Sequence, residues 1–480
     1  MAINQNKKQL IVVVGAGVAG LAVALLAKHK GYDVSVYEST PTYGGKMGIL
    51  KLGGAVFDTG PSLATDVKVI DKLYTDCGLN PREYWNYVKL PEITRYFWQD
   101  DKHYIMPAGI ANIEKSLAHT FDTDPVLLHN YLYKLKKSYS KSISYFVDKP
   151  VSIRSFSSLN ALVSFGLIAP LMIQDLHRRN NRYLRDKKLV QLFDRYATYS
   201  GSNPYLTPAL SILASGPEVI GGAYYPVGGM RSIADGLYQA GNDLGVKFNF
   251  NKPVKSIVQV SSRVEAVVTK KGVIKTNKVI YDGDARMLSV MLKKKPKPAK
   301  PSSMSTSAFA FYWVVKGDFK QFGLHNILFS DDYQKEYQQL SAGMISQDPT
   351  VFINITSKLE PGLTATGTEN WFVMVNVPAG VGEHLLDKVR QSVLQKVFNV
   401  TGKKPIIIAE DYLSPKKLEQ NTGAYSGAIY GQSANNLFLT IKKPSNKTNI
   451  KGLYRVGGTS HPGGGVPLAV RSATIVSKWL

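Results

Sequence analysis

LIVVVGAGVAGLAVALLAKHKGYDVSVYE, residues 10–38, decides the fold. Leu10 to Val14 is a β-branched apolar run that reads as a strand. Gly15, Gly17 and Gly20 follow as GxGxxG with Ala19 inside the turn, Leu21 to Lys30 has helical apolar spacing, and Asp33 to Tyr37 forms a second strand. Glycines at the turn of such a βαβ unit let the backbone bend tightly and approach a pyrophosphate at the helix N-terminus. Glu38 closes the second strand about twenty residues on, where a carboxylate accepts hydrogen bonds from an adenosine ribose. Taken alone, the glycines also suit a packing turn, and the glutamate a solvated strand end.

The chain has 480 residues, which predicts two or three domains and room for a large cofactor. Its apolar share of 44% and charged share of 20% are those of a globular enzyme. Cys77 stands alone, which excludes an internal disulfide and thiolate metal cages and suits a reducing compartment. The opening MAINQNKKQL runs into the first strand without a hydrophobic region or small-residue cleavage site, so no secretory signal and a cytoplasmic location are expected. Fifty-nine bases against 35 acids give a net charge of +24, which calls for an anionic partner. No zinc-finger spacing, RNA-binding aromatic motif or basic zipper accompanies the charge, so a membrane surface is favoured over nucleic acid.

Along the chain, glycine-rich turns continue to about Ser62, after which the sequence becomes more helical and aromatic from Tyr74 through Tyr205. Strand texture returns between Val246 and Tyr281. Lys293 to Pro301 (KKKPKPAKP) reads as an exposed linker, because prolines and like charges exclude a helix interior. The last forty or so residues return to strand, glycine turn and helix.

Tyr43-Gly44-Gly45-Lys46 and Phe57-Asp58-Thr59-Gly60-Pro61-Ser62 resemble the large flavoprotein group that includes amine oxidases and carotenoid desaturases. There the paired glycines and following base lie by the FAD pyrophosphate, and Lys46 stands where many members have Arg, supplying charge without a bidentate fork. Gly452-Leu-Tyr-Arg-Val-Gly-Gly-Thr-Ser-His-Pro-Gly-Gly-Gly-Val-Pro467, leading into an apolar helix, is similar to the terminal flavin motif of bacterial-type carotenoid desaturases. Physically, Pro467 suits a first helical turn, and the helix N-terminus offers its positive end to the charge of a reduced flavin. Arg471 departs from the aliphatic residue usual there. Phe193-Asp-Arg-Tyr-Ala-Thr-Tyr-Ser-Gly-Ser-Asn-Pro-Tyr205 and Tyr225-Pro-Val-Gly-Gly-Met230 are closest to the carotenoid 3,4-desaturase branch, although phytoene desaturases and ketolases share parts.

The resemblance implies an α/β fold: a Rossmann-type FAD domain built from residues 1–75, 215–300 and 441–480, and a discontinuous α+β substrate domain from 76–214 and 301–440, enclosing an apolar tunnel. It implies FAD contacts at Gly15, Gly17, Ala19, Gly20, Glu38, Gly44, Gly45, Lys46, Gly60, Pro61, Ser62, Val254, Asp282, Gly458, Gly464, Gly465, Val466 and Pro467. Arg195 and His461 are candidate catalytic residues; a buried Arg195 paired with Asp194 or another acid, and a structural His461, stand beside that reading. The implied reaction is FAD-dependent introduction of a carbon–carbon double bond, namely 3',4'-desaturation of a hydroxylated monocyclic carotenoid of the γ-carotene type. Phytoene desaturation, ketolation or isomerisation, amine oxidation, and a flavin-bearing membrane protein without turnover remain as alternatives. Electrons would pass on to oxygen or a quinone. No metal cluster is expected. Leu159 to Ile173 (LNALVSFGLIAPLMI) is too short to span a bilayer and is interrupted by Pro170; its basic flanks at Arg154 and His177-Arg178-Arg179 suit peripheral attachment to the inner face of the cell membrane, and a core helix under basic loops stands beside that reading.

Overall fold

The computed structural model describes residues 9–143, 147–149 and 159–480. A five-stranded parallel sheet runs, in spatial order, Leu453–Arg455, Lys278–Tyr281, Leu10–Val14, Asp33–Tyr37 and Lys247–Asn249. The first strand is apolar throughout because both its faces are covered. Ile11 and Val13 point into a core with the Val18–His29, Arg231–Asp243 and Val466–Ser477 helices, whereas Val12 points into a second core with Val254, Ile257, Val264 and Val267. That second core belongs to an antiparallel sheet of Val254–Val260, Arg263–Thr269 and Gly272–Lys275, so the cofactor side is built as helices, parallel sheet and antiparallel sheet.

The other half is a seven-stranded mixed sheet ordered Ile406–Leu413, Ser307–Lys316, Thr368–Val377, Val351–Ile355, His325–Leu328, Glu92–Phe97 and His103–Pro107. Alternation sorts its side chains: Trp313, Trp371, Val373 and Val375 pack under the Leu386–Thr401 helix, while Tyr312, Phe372, Phe352, His325 and Tyr96 line the opposite face. Helices between Ile110 and Asp194 roof that second face.

Two differences from the sequence reading have packing causes. Glu92–Phe97 and His103–Pro107 are strands inside the region expected to be mainly helical, and they complete the edge of the seven-stranded sheet. The first crossing between halves also falls between Trp85 and Leu90 rather than at 76: Leu73, Tyr74, Cys77 and Trp85 are buried in the cofactor-side core, and Leu90 is buried in the substrate-side one. Local pattern cannot locate such a boundary, because Lys68–Asp76 is amphipathic whichever half receives its apolar face.

Candidate functional site

Four glycine-rich segments that are far apart in sequence meet at the C-terminal end of the parallel sheet. Gly44 N–H donates to the Ala16 carbonyl (2.8 Å), which joins the Gly44-Gly45 turn to the first glycine loop. A Cβ on Gly60 would fall 1.9 Å from the Lys46 carbonyl oxygen, so the Gly60–Ser62 turn can close on Lys46 only with glycine there. On the C-terminal side, a Cβ on Gly464 would meet the Tyr430 ring at 2.1 Å.

Asp282 is the hub. Its Oδ2 accepts from Gly20 N–H (2.8 Å), and Cβ atoms on Gly17 and Gly457 would lie 2.6 and 2.7 Å from its carboxylate oxygens. Burial pushes this carboxyl up to about 7, opposed by the amides of Gly20 and Gly17 and reinforced by Glu38. At pH values between the ordinary 3.8 and about 7, the folded cofactor-free protein therefore keeps a proton that the unfolded chain has released, and stability falls as pH rises through that window. Asp282→Asn should lose less stability than wild type between pH 5 and 8, by up to about 3 kcal/mol. Thermal melts of both cofactor-free proteins measure the difference, and equal losses would exclude Asp282 as the cause.

Glu38 sits beside the first loop, accepting from Ala16 N–H at 2.8 Å and Thr40 N–H at 2.9 Å. Lys46 points inward and donates to the Ile429 carbonyl (2.6 Å); burial holds its ammonium below the usual lysine range, partly offset by Asp284 and Asp282. Val254 is buried near Tyr37 in the core behind the loop. The helices beginning after Gly17 and Gly465 both lack a side-chain cap, Gly465 having φ of 105° with Pro467 in the first turn. Two uncapped helix N-termini, an inward ammonium and glycine surfaces fit a large anionic dinucleotide.

Several contributors were not singled out in the sequence. Arg231 donates to the carbonyls of Tyr43 (3.0 Å) and Met47 (3.1 Å) and so holds the Gly44–Lys46 turn. Asp58 caps the helix that carries Arg231, accepting from Met230 and Arg231 N–H at 2.8 and 3.0 Å, and burial pushes its carboxyl up to about 6. The Phe57–Ser62 and Tyr225–Met230 motifs are thus one clamp, for which the only sequence signal was an acid near a glycine turn and a helix start elsewhere. Lys443, with its ammonium pushed down to about 8 by burial, faces the Gly463 backbone.

The two candidate catalytic residues lie apart. His461 Nε2 faces the Lys149 carbonyl at 2.9 Å, and its backbone N–H donates to Pro444, so it ties the terminal turn to two other segments. Arg195 is buried on the substrate side and pairs with Glu218, not with Asp194, whose carboxylate is taken by Asn180 and His177. Arg471 bonds Asp66 at 2.8 Å and also pairs with Asp148, which accounts for a cation at that otherwise apolar helix.

The family model described as flavin containing amine oxidoreductase matches residues 18–478. The chain is 38% identical to 1-hydroxycarotenoid 3,4-desaturase of Flavobacterium sp. (strain P99-3), covering 97% of this chain and 98% of that protein. It is 30% identical to hydroxyneurosporene desaturase of Rhodobacter capsulatus, covering 98% and 97% respectively. Among solved structures, an oxidoreductase from Methanosarcina mazei aligns with a TM-score of 0.65 at 13% identity over 98% of this chain and 100% of the other. Putrescine oxidase aligns with a TM-score of 0.64 at 13% identity over 98% of each chain, a likeness of fold.

Proposed function

Because the chain belongs to the flavin containing amine oxidoreductase family, we propose that it is an FAD-dependent carotenoid desaturase, acting at the 3',4' bond of a hydroxylated monocyclic carotenoid of the γ-carotene type. The cofactor is FAD. The residues proposed to hold it are Gly15, Gly17, Ala19, Gly20 and Glu38 at the first loop, Gly44 to Lys46 and Gly60 to Ser62 at the second, and Asp282, Gly458 and Gly464 to Pro467 at the third, with Val254 behind. When bound, FAD supplies the two-electron acceptor for hydride removal from an allylic carbon.

The observation that carries the substrate reading is a continuous row of rings. Phe57, Tyr312, Phe372, Phe352 and His325 follow one another at centroid distances of 5.8, 5.7, 6.4 and 6.2 Å along one face of the seven-stranded sheet. Tyr312 also donates its hydroxyl to the Thr59 carbonyl (3.3 Å), which ties that row to the cofactor turn. A row of flat polarizable faces suits a long conjugated chain, and a cation spread along such a chain is stabilised by aromatic quadrupoles. Loss of a proton from the neighbouring carbon, to water or an unassigned base, would complete the double bond, and oxygen or a quinone is the proposed terminal electron acceptor.

The protein works at the inner membrane surface, where its substrate dissolves. Among the described residues no helix is long and apolar enough to cross a membrane. Exposed apolar side chains on Leu159–Ile168, at Ile173 and on Leu437–Ile441 support peripheral contact; Arg154, one basic flank, lies outside the described residues. In liposomes, the purified enzyme is expected to convert the hydroxylated monocyclic compound into a product with one more double bond, seen by chromatography. Conversion of phytoene alone to lycopene-like products would exclude the 3',4' assignment and leave a general desaturase.

A further inference from the structure

We infer that Arg195, Glu218 and Tyr199 form the subsite that receives a hydroxyl at the end of the polyene, an inference that rests on the carotenoid reading above. Arg195 and Glu218 have side chains only 8% and 0% exposed, with Nη2 to Oε1 at 3.4 Å. Around the guanidinium stand the rings of Tyr196, Tyr199 and Tyr96, at 4.8, 5.4 and 5.6 Å. Among the described residues, Nη2 donates to Tyr96 Oη (3.1 Å) and to Glu218, while Nε is buried without a partner. Such an unmet donor is costly in a folded interior unless something else supplies an acceptor.

Glu218 is nearly the reverse case: Oε1 accepts from Tyr196 Oη at 2.7 Å and Oε2 accepts from Tyr199 Oη. It is carried on a single π-helical turn, Pro217–Gly221, a distortion found often at functional sites. Of the three tyrosines around the pair, Tyr199 is the one left partly exposed. An alcohol at this point can accept from Arg195 and donate to Tyr199 or Glu218, which an alkyl end cannot do.

The subsite also lies on the reacting side of the molecule. Tyr96, which accepts from Arg195, is paired with Ile327 on the strand of His325, whose ring nitrogens lie 2.9 Å from the Ser62 carbonyl and 3.2 Å from that of Ile93. Ser62 belongs to the turn that closes on Lys46. A hydroxyl held by Arg195 is therefore at the His325 end of the ring row, the end that Ser62 joins to the Gly60–Ser62 turn.

The test compares a hydroxylated carotenoid with the same carotenoid lacking the hydroxyl, using FAD-loaded protein in liposomes. Wild type should favour the alcohol in kcat/KM by about ten- to a hundredfold. Tyr199→Phe, which removes one oxygen, and Arg195→Met/Glu218→Gln, which removes both charges together, should each bring the ratio towards one. Quenching of tryptophan fluorescence on binding should give the same collapse in Kd ratio, separating recognition from chemistry. A wild-type ratio near one, or a ratio kept by a variant that retains its flavin and melting temperature, overturns the subsite while leaving the desaturase intact. Turnover of neither carotenoid by wild type removes both readings.

Discussion

Gly17→Val protein should purify colourless, with FAD affinity lowered by at least about a hundredfold. The reason is space, not backbone freedom. Gly17 has φ of −71°, open to any residue, yet a Cβ there would lie 2.6 Å from Asp282 Oδ2. That carboxylate cannot retreat cheaply, since it bonds Gly20 N–H and is confined on its other side by Gly457. Overpacking costs about 1–3 kcal/mol by itself, and a displaced Asp282 would also crowd the uncapped helix start proposed to meet the pyrophosphate. Flavin absorbance per mole of protein measures the outcome, with circular dichroism to establish that the chain is folded. Gly166→Ala is the control, because among the described residues nothing lies within 4 Å of a Cβ at that position. A full flavin complement in folded Gly17→Val would remove the first glycine loop from the cofactor site.

The segments of the cofactor site differ in how far local sequence specifies them. The βαβ unit was legible because its periodicity, glycine spacing and terminal Glu38 are all local, and Glu38 indeed reaches Ala16 in the same unit. The hub at Asp282 was visible only through resemblance: that one carboxylate serves Gly17, Gly20 and Gly457 follows from strand order, as Lys278–Tyr281 lies between Leu10–Val14 and Leu453–Arg455. Arg231 escaped notice for a related reason, as a lone arginine at a helix start carries no mark until the helix docks on the Gly44–Lys46 turn. Arg195 stands out in the sequence, but its partner does not. Asp194 adjoins it in sequence, yet consecutive helical residues point away from each other, so the acid that reaches it is Glu218 from another turn.

The second large effect concerns the membrane. Flotation with anionic liposomes should be nearly complete at low salt and fall steeply at high salt, while neutral liposomes recover little protein. Each Lys or Arg near an acidic surface contributes about 1 kcal/mol, and the screening length contracts from about 10 Å at 0.1 M salt to about 3 Å at 1 M. Several basic residues then change the binding constant by orders of magnitude, and the net charge of +24 provides them in excess. A salt-resistant part should remain from apolar contact. Ile173 is 87% exposed and Phe438 61% exposed, with Leu206 between them at 51%. These segments are neighbours: Leu176 N–H donates to Thr207, Ala209 N–H to Gln174, and Thr207 Oγ1 to Ala434. Arg178 projects nearby, and the Lys442 ammonium stands 4.3 Å over the Phe438 ring, where a basic side chain can reach a headgroup as the ring enters the acyl boundary. Ile173→Asp/Phe438→Asp removes two large apolar contacts, each worth about 1.5–3 kcal/mol if fully inserted, without touching a buried core. This variant should keep its flavin and melting temperature yet lose the salt-resistant fraction, so that its flotation follows ionic strength alone. Undiminished high-salt flotation of the variant would move the apolar contact to another face, and failure of wild type to float in either salt would remove membrane attachment altogether.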